Sequence, residues 1–328
     1  MNILESPSAL AEIAPGIAVA AGFFDGVHLG HQAILAETCA RARAEGSQAW
    51  VLTFEPHPLA VLAPERCPPL LTRLDLRLER LAEAGVDGCL LLPFTPALAA
   101  LAAPDFVHHV FGGWMDGARL CTVVSGENWR FGRGKAGGLA AIAAIGGGRI
   151  RTVQTPMVAL GGERVCSSAI RQAILNGDLP KATAMLGRPY AIRETTVAGR
   201  GVGGKLGFAT ANMRPAAEVL PPVGVYAVAA SRRGHPEQGW MKGVANLGFC
   251  PTFDDAALIA PVLEVHLLDF AGDLHGETID VRFLSRLRDE IHFDSPEALA
   301  RQIRLDVEAV RSRDEGPAER RAADRSLQ

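Results

Sequence analysis

The sequence predicts an α/β part with a parallel sheet covered by helices, followed by a small antiparallel β-barrel with a C-terminal helix. Three observations lead there. Short apolar runs alternate with amphipathic stretches from residue 17 to 186, and this alternation stops at Gly187-Arg188-Pro189. Beyond it, residues 190–283 carry short, partly alternating segments separated by turn residues rather than helices. Continuously apolar strands between helices indicate a sheet buried on both faces. Short strands joined by turns indicate a barrel. The expected domains are 1–186 and 187–311, with a charged tail at 312–328 expected to be disordered.

In the first part, Ile17–Ala21, Ala49–Phe54, Cys89–Leu92, Leu120–Val124 and Ile150–Val153 read as strands. Gln32–Ala44 and Leu74–Ala84 read as helices, the latter with apolar residues at helical spacing. In the second part the expected strands are Ile192–Val197, Gly224–Ala229, Met241–Asn246, Val262–Phe270 and Thr278–Phe283. Ser295-Pro296-Glu297 is a helix start with Pro in the first turn, and Leu299, Ile303 and Val307 supply an apolar stripe. The uncharged run Gly88–Pro104 holds Pro93, Pro96 and Pro104, so it reads as a buried strand, a loop and a helix rather than a membrane span.

With 328 residues, 48% apolar and 21% charged, the chain has the composition of a globular protein of two domains. A net charge of −3 provides no broad positive field for nucleic acid or anionic lipid, so the expected partners are small molecules, with self-association left open. Phosphate binding must then be built locally from backbone amides and a few side chains. The six cysteines (39, 67, 89, 121, 166, 250) are scattered without a C-x-x-C pair, and Glu5 stands where a signal peptide would be basic. A cytoplasmic location is expected.

The first chemical constellation is Gly22–His31, GFFDGVHLGH, which ends a strand and opens a helix. Unsatisfied amides and the helix dipole make such a turn a phosphate cradle. His28 and His31 can both donate to phosphoryl oxygens whose charge grows during in-line attack. A plainer reading has one His capping the helix and the other packing. A zinc site fits less well, because no Cys or acid stands at helical spacing. Downstream, Ser125-Gly126-Glu127-Asn128-Trp129-Arg130-Phe131-Gly132 follows a strand, and Arg164-Val165-Cys166-Ser167-Ser168-Ala169-Ile170-Arg171 sets two hydroxyls between arginines. Capping alone explains the hydroxyls; the flanking guanidinium groups suit a triphosphate.

The second constellation begins at Gly199-Arg200-Gly201-Val202-Gly203-Gly204, which imitates a dinucleotide fingerprint and most of a P-loop. Phe208–Pro215 reads as loop or strand where the fingerprint needs a helix, and Leu206 follows Lys205 where the P-loop needs Ser or Thr. A glycine-rich anion nest remains. Thr210 and Asn212 share a face if extended, and their neutral oxygens suit Mg²⁺; a T-A-N tripeptide also fits an ordinary turn. Glu264 lies in the apolar run Val262–Leu268, as a candidate base or as an ordinary outward-facing acid.

H-x-G-H, G-E-N-W-R-F-G and R-x-x-S-S-x-x-R in this order, with Thr53–Pro58 (TFEPHP), resemble the nucleotidyltransferase module of bacterial bifunctional riboflavin kinase/FAD synthetases. Lys205–Asn212, Gly243–Gly248, Pro251-Thr252-Phe253, Leu263–His266 and Leu287–Glu290 are similar to the riboflavin kinase module of the same family. The resemblance covers roughly Ile17 to Arg311. It implies a Rossmann-like nucleotidyltransferase domain and a riboflavin kinase barrel, which convert riboflavin to FMN and FMN to FAD. ATP is the implied co-substrate, Mg²⁺ the implied cofactor, and FMN and FAD are product ligands. The resemblance further implies that His28 and His31 are catalytic, with Gly22, Phe24, Asp25, Gly30, Asn128, Arg164, Ser167, Ser168 and Arg171 binding ATP and FMN. It implies Thr210 and Asn212 on Mg²⁺, Glu264 as base for the ribityl 5′-hydroxyl, and Gly203, Lys205, Gly207 and Arg288 on ATP and flavin. Departures from the family pattern are Phe23 for Asn, Cys166 for Ser, Ser168 for Thr, Ala209 for Pro, and Gly204 for a basic residue. The last two imply weaker ligand affinity in the kinase loop with activity retained. Rival readings are a relict second site, or a flavin-binding regulator without turnover.

Overall fold

The computed structural model describes residues 1–11, 16–115, 121–198, 210–215, 218–251 and 259–313. Contacts divide the chain into two compact units, one of Met1–Pro69 with Leu74–Ser167, the other of Leu70–Arg73 with Ser168–Gln328.

In the first unit the elements run β1 (Asn2–Leu4), α1 (Pro7–Ala11), β2 (Ile17–Ala21), α2 (Leu29–Glu45), β3 (Gln48–Glu55), α3 (Pro58–Leu62) and α4 (Leu74–Glu83). They continue with β4 (Gly88–Pro93), α5 (Pro96–Ala100), α6 (Ala103–Met115), β5 (Cys121–Gly126), α7 (Leu139–Ile145) and β6 (Ile150–Thr155), then the hairpin β7 (Ala159–Leu160) and β8 (Glu163–Arg164). The main sheet has the order β1-β4-β3-β2-β5-β6, and every pair in it is parallel. Alternate strand residues enter different cores, which is why the strands read as unbroken apolar runs. Ile17, Val19, Trp50 and Leu52 pack with Phe106, Val110 and Phe111 of α6. Ala18, Ala20, Ala49 and Val51 pack with Leu35, Cys39 and Ala42 of α2 and Leu81 of α4. From β2 the chain winds outward through β3 to β4, then returns to the other side of β2 as β5. Strand order therefore reverses between β2 and β5, and at such a switch point the carboxyl ends of the strands leave a crevice.

β2 has the bounds expected from its apolar run. Helix α2 begins three residues earlier than Gln32, at Leu29, because His28 caps it. The uncharged run from Gly88 resolves into β4 and the short helix α5. Among the described residues, no helix is long and apolar enough to cross a membrane.

The second unit contains α8 (Ser167–Leu175), α9 (Leu179–Leu186), β9 (Tyr190–Thr195), β10 (Thr210–Met213), β11 (Gly224–Arg232), β12 (Met241–Pro251), β13 (Ile259–Leu267), β14 (Thr278–Arg288) and α10 (Pro296–Arg311). By contacts, all of α8 after its first residue belongs here. The strands form an antiparallel sheet of order β10-β13-β12-β11-β14-β9. A bridge from Val197, just past β9, to Asn212 of β10 joins the two edges, with the Val197 amide donating to the Asn212 carbonyl at 2.8 Å. That bridge curls the sheet into a barrel and covers its edges. β12 and β14 run well past the expected ends, since ladder hydrogen bonds do not depend on side-chain type. β13 stops at Leu267, short of Phe270, because Asp269 turns left-handed at φ 59°. Ser295 caps α10, its hydroxyl accepting from the Ala298 amide at 3.2 Å. Val307 and Val310 of that helix pack with Val225, Ala227, Val244 and Leu287 on the barrel.

Across β9 and β14, Arg193 lies opposite Asp280 and binds it through two nitrogens, at 2.5 and 2.7 Å, with both side chains buried. Removing one partner of a buried pair strands the other charge. Asp280→Ala should therefore lower unfolding stability by about 3 kcal/mol, measured by urea denaturation. Burial pushes the Cys89 thiol up to about 12, and raises those of Cys39 and Cys121 as well. Iodoacetamide at pH 8 should label the half-buried Cys67 and Cys166 in the native protein, and reach Cys39, Cys89 and Cys121 only in denaturant, as mapped by peptide mass spectrometry.

Candidate functional site

The turn between β2 and α2 occupies the switch point. Phe24, Gly26 and Val27 adopt φ of 60°, 81° and 39°, a conformation that L side chains resist and β-branched valine resists most. Surrounding bonds hold it. The Val27 amide donates to the Phe24 carbonyl at 3.1 Å, Gln32 Nε2 donates to the Val27 carbonyl at 2.9 Å, and Thr53 Oγ1 donates to the Phe23 carbonyl at 3.0 Å. Ser125 Oγ, from the end of β5, donates to the Ala21 carbonyl at 2.7 Å, and the Gly22 amide donates to the Leu52 carbonyl at 3.1 Å.

His28 Nδ1 accepts the His31 amide at 3.3 Å, and the two rings stack at 3.6 Å with an 18° interplanar angle. Capping and catalysis are compatible, since the cap uses Nδ1 alone of the two ring nitrogens. Gly30 is needed here, because a Cβ would lie 3.1 Å from the His28 ring and 3.5 Å from the Val165 carbonyl. Asp25 is buried in the same turn.

Segments distant in sequence converge on this turn. Ser167, the first residue of α8, donates its hydroxyl to the Asp25 carbonyl at 3.1 Å, a use that capping alone does not include. Ser168 and Arg171 follow in the same helix, Ser168 exposed and Arg171 half-buried. With its amide oriented to satisfy both neighbours, Asn128 accepts from Arg164 Nη1 and Nη2 at 3.0 and 2.7 Å. The loop after β5 and the hairpin before α8 are thereby joined through one side-chain pair. Trp129 and Phe131 anchor that loop in the core, Phe131 packing 4.8 Å from Phe106.

On the barrel, register lines up a second group. Asn212 lies opposite Glu264, Glu264 opposite Asn246, Asn246 opposite Val225, and Val225 opposite Arg288. Directly opposed residues share a face, so Asn212, Glu264, Asn246 and Arg288 form one row across β10, β13, β12, β11 and β14. Thr210 is two residues from Asn212 on the same face. Asn212 Nδ2 donates to the Thr210 carbonyl at 3.3 Å, a local bond that leaves Oδ1 on the other side of the amide. Glu264 is half-buried and, among the described residues, its carboxylate makes no hydrogen bond or ion pair. Arg288 is held by Asp306 of α10 through Nε at 3.1 Å and Nη2 at 2.8 Å, while Gln302 Nε2 also donates to Asp306 at 3.0 Å.

Asn246 and Glu290, from the Gly243–Gly248 and Leu287–Glu290 segments, join this neighbourhood without an individual role having been expected of them, and Asp306 joins it from α10. Asn246 Nδ2 donates to Glu290 Oε1 at 3.1 Å. The alignment of Asn246 with Glu264 arises from strand register, which no local motif encodes. Gly203, Lys205 and Gly207 lie outside the described residues.

Sequence comparison gives matches on both units. The FAD synthetase family matches residues 10–169, and the riboflavin kinase family matches residues 186–313. The bifunctional riboflavin kinase/FMN adenylyltransferase of Escherichia coli K12 is 38% identical over 294 residues, 89% of this chain and 90% of that protein. The protein of the same name from Listeria monocytogenes is 33% identical over 296 residues, 90% of this chain and 91% of that protein. A crystal structure of a macrolide-efflux protein from Streptococcus pneumoniae superposes with a TM-score of 0.79 at 29% identity, covering 95% of this chain and 99% of the other. Two modules in one continuous chain, matched nearly end to end, define the class as a two-domain nucleotide-using enzyme. The chain belongs to the bifunctional riboflavin kinase/FMN adenylyltransferase family.

Ser167→Ala removes the bond from α8 to the strained turn at a cost of about 1 kcal/mol. Hydrogen exchange should show faster opening of the amides between Phe24 and His31, with the strand amides of β2 and β3 unchanged.

Proposed function

We propose that this chain makes FAD in two ATP-consuming steps, phosphorylating riboflavin to FMN on the barrel unit and adenylylating FMN to FAD, with release of pyrophosphate, on the sheet unit. The observation that carries this reading is the convergence of the His28–His31 turn, Ser167 and the Asn128–Arg164 pair at the switch point of a parallel sheet. The matched ranges support a functional division near residue 186, although α8 after Ser167 groups with the barrel unit and α9 packs on β9 and β14.

In adenylyl transfer, a phosphate oxygen of FMN attacks the α-phosphorus of ATP and pyrophosphate leaves. The amides at the start of α2 and the two imidazoles donate to the phosphoryl oxygens as their charge grows. Gly22, Phe24, Asp25 and Gly30 shape the cradle, while Ser167, Ser168 and Arg171 at the start of α8 take the nucleotide phosphates. Asn128 orients Arg164 by fixing two of its nitrogens, which presents the remaining donors of the fork to phosphate. No covalent intermediate is needed, since orientation and charge stabilisation suffice.

In phosphoryl transfer, Glu264 accepts the proton of the ribityl 5′-hydroxyl, whose oxygen attacks the γ-phosphorus of ATP while ADP leaves. Thr210 and Asn212 place a hydroxyl and an amide oxygen on the face that carries Glu264. This hard, neutral donor set fits Mg²⁺ arriving with nucleotide phosphates. Bound there, Mg²⁺ would neutralise phosphate charge. Arg288, bound to Asp306, is assigned to flavin recognition, and Gly203, Lys205 and Gly207 are assigned to ATP. Cys39, Cys67, Cys89, Cys121 and Cys166 are in no disulfide, which suits the reducing cytoplasm, and the partners are small molecules rather than nucleic acid.

Purified protein given riboflavin, ATP and Mg²⁺ should yield FMN and then FAD on chromatography; absence of both products would sink the reading. The double variant His28→Ala, His31→Ala should accumulate FMN and lose FAD formation by at least about 100-fold. Glu264→Gln should slow FMN formation by about 100-fold or more, yet still convert supplied FMN to FAD.

A further inference from the structure

We infer that Arg77 is a positioning residue for adenylyl transfer, acting through the ring of Phe23 to hold the turn that carries His28 and His31. The inference rests on the adenylyl-transfer reading of that turn. Arg77 lies on α4, a surface-type amphipathic helix, yet its side chain is wholly buried. Its Nη2 donates to the Phe54 carbonyl at 3.2 Å and to Glu55 Oε2 at 2.6 Å, both at the carboxyl end of β3. Nε and Nη1 have no hydrogen-bond partner, although both are buried. A buried cation with three of its five N–H donors unused is a poor stabilising device, and an apolar side chain of similar length would fill the space at less cost.

What the guanidinium supplies instead is a flat charged surface. Its carbon lies 4.4 Å from the centroid of the Phe23 ring, which the His57 ring also meets edge-on at 4.4 Å and 81°. A cation–π contact and an edge-to-face contact together restrict the Phe23 ring. Phe23 immediately precedes Phe24, where the left-handed excursion begins, and its carbonyl is tied to Thr53. Holding Phe23 therefore holds the entry to a turn that the backbone alone would relax. Glu55 keeps the arginine in place, and Arg77 contacts neither histidine directly in this arrangement.

The test uses the full-length enzyme and both of its reactions. Arg77→Met should lower kcat for FAD formation from FMN about 10- to 100-fold, while KM for ATP and FMN moves less than about threefold. Riboflavin phosphorylation by the same preparation should stay within about twofold, reporting an intact barrel unit, while the unchanged KM for ATP and FMN reports an intact sheet unit. Arg77→Lys, which keeps a cation near the ring, should recover part of kcat. Phe23→Leu should reproduce the kcat loss, and the double variant should be no worse than the poorer single, because both changes break one contact. Undiminished FAD formation in Arg77→Met or Phe23→Leu would overturn the inference, as would additive losses or a parallel fall in both activities. A wild-type enzyme that makes no FAD from FMN overturns the functional reading and this inference with it. Active wild-type enzyme with unimpaired variants overturns this inference alone.

Discussion

Phe24, Gly26 and Val27 take positive φ within one four-residue turn, and Val27 does so at 39° with a β-branched side chain. Such a turn persists only when its surroundings over-determine it. Here those surroundings come from β3 through Thr53, from α2 through Gln32, and from α8 through Ser167. The same bonds that hold the turn also gather the residues assigned to nucleotide chemistry. Strain and site are therefore one arrangement: release the turn, and His28 loses both its cap geometry and its stacking on His31.

The two units place polar groups by different physical means. The inner strands of the parallel sheet are buried on both faces, as in β2, so their side chains are closed to a ligand along most of their length. Chemistry is pushed to the carboxyl ends and the loops, where a left-handed turn and a helix start supply amides. The barrel has an outer face, so polar groups can stand in a row on the strands themselves. Asn212, Glu264, Asn246 and Arg288 do so, and α10 covers part of the same face with Val307 and Val310 while pinning Arg288 through Asp306. A site on strands is rigid by register, whereas a site on loops depends on cross-links between segments.

Much of this was legible from the chain. The bounds of β2, the first residue of α4, the Ser295 cap of α10 and the change of architecture after Pro189 all follow from local composition and spacing. The histidine turn, the Asn128 loop and Ser167 could be singled out as chemical candidates because their residue types sit at strand ends and helix starts. Arg77 could not, since in sequence it looks like one more charged residue on an amphipathic helix. Asp306 was equally silent, made relevant by the docking of α10, and Asn246, although inside the Gly243–Gly248 segment, gains its place opposite Glu264 only through register.

By itself, the sequence determined what depends on near neighbours: which segments form strands or helices, where helices start, and which motifs carry phosphate chemistry. Tertiary structure alone decided what depends on distant segments meeting. Ser167 reaches Asp25 across 142 residues, Asn128 meets Arg164, and Val197 closes the barrel on Asn212. Hydrogen bonds and ion pairs act over a few ångströms in space without regard to separation along the chain, so their partners become visible only once the fold has brought them together.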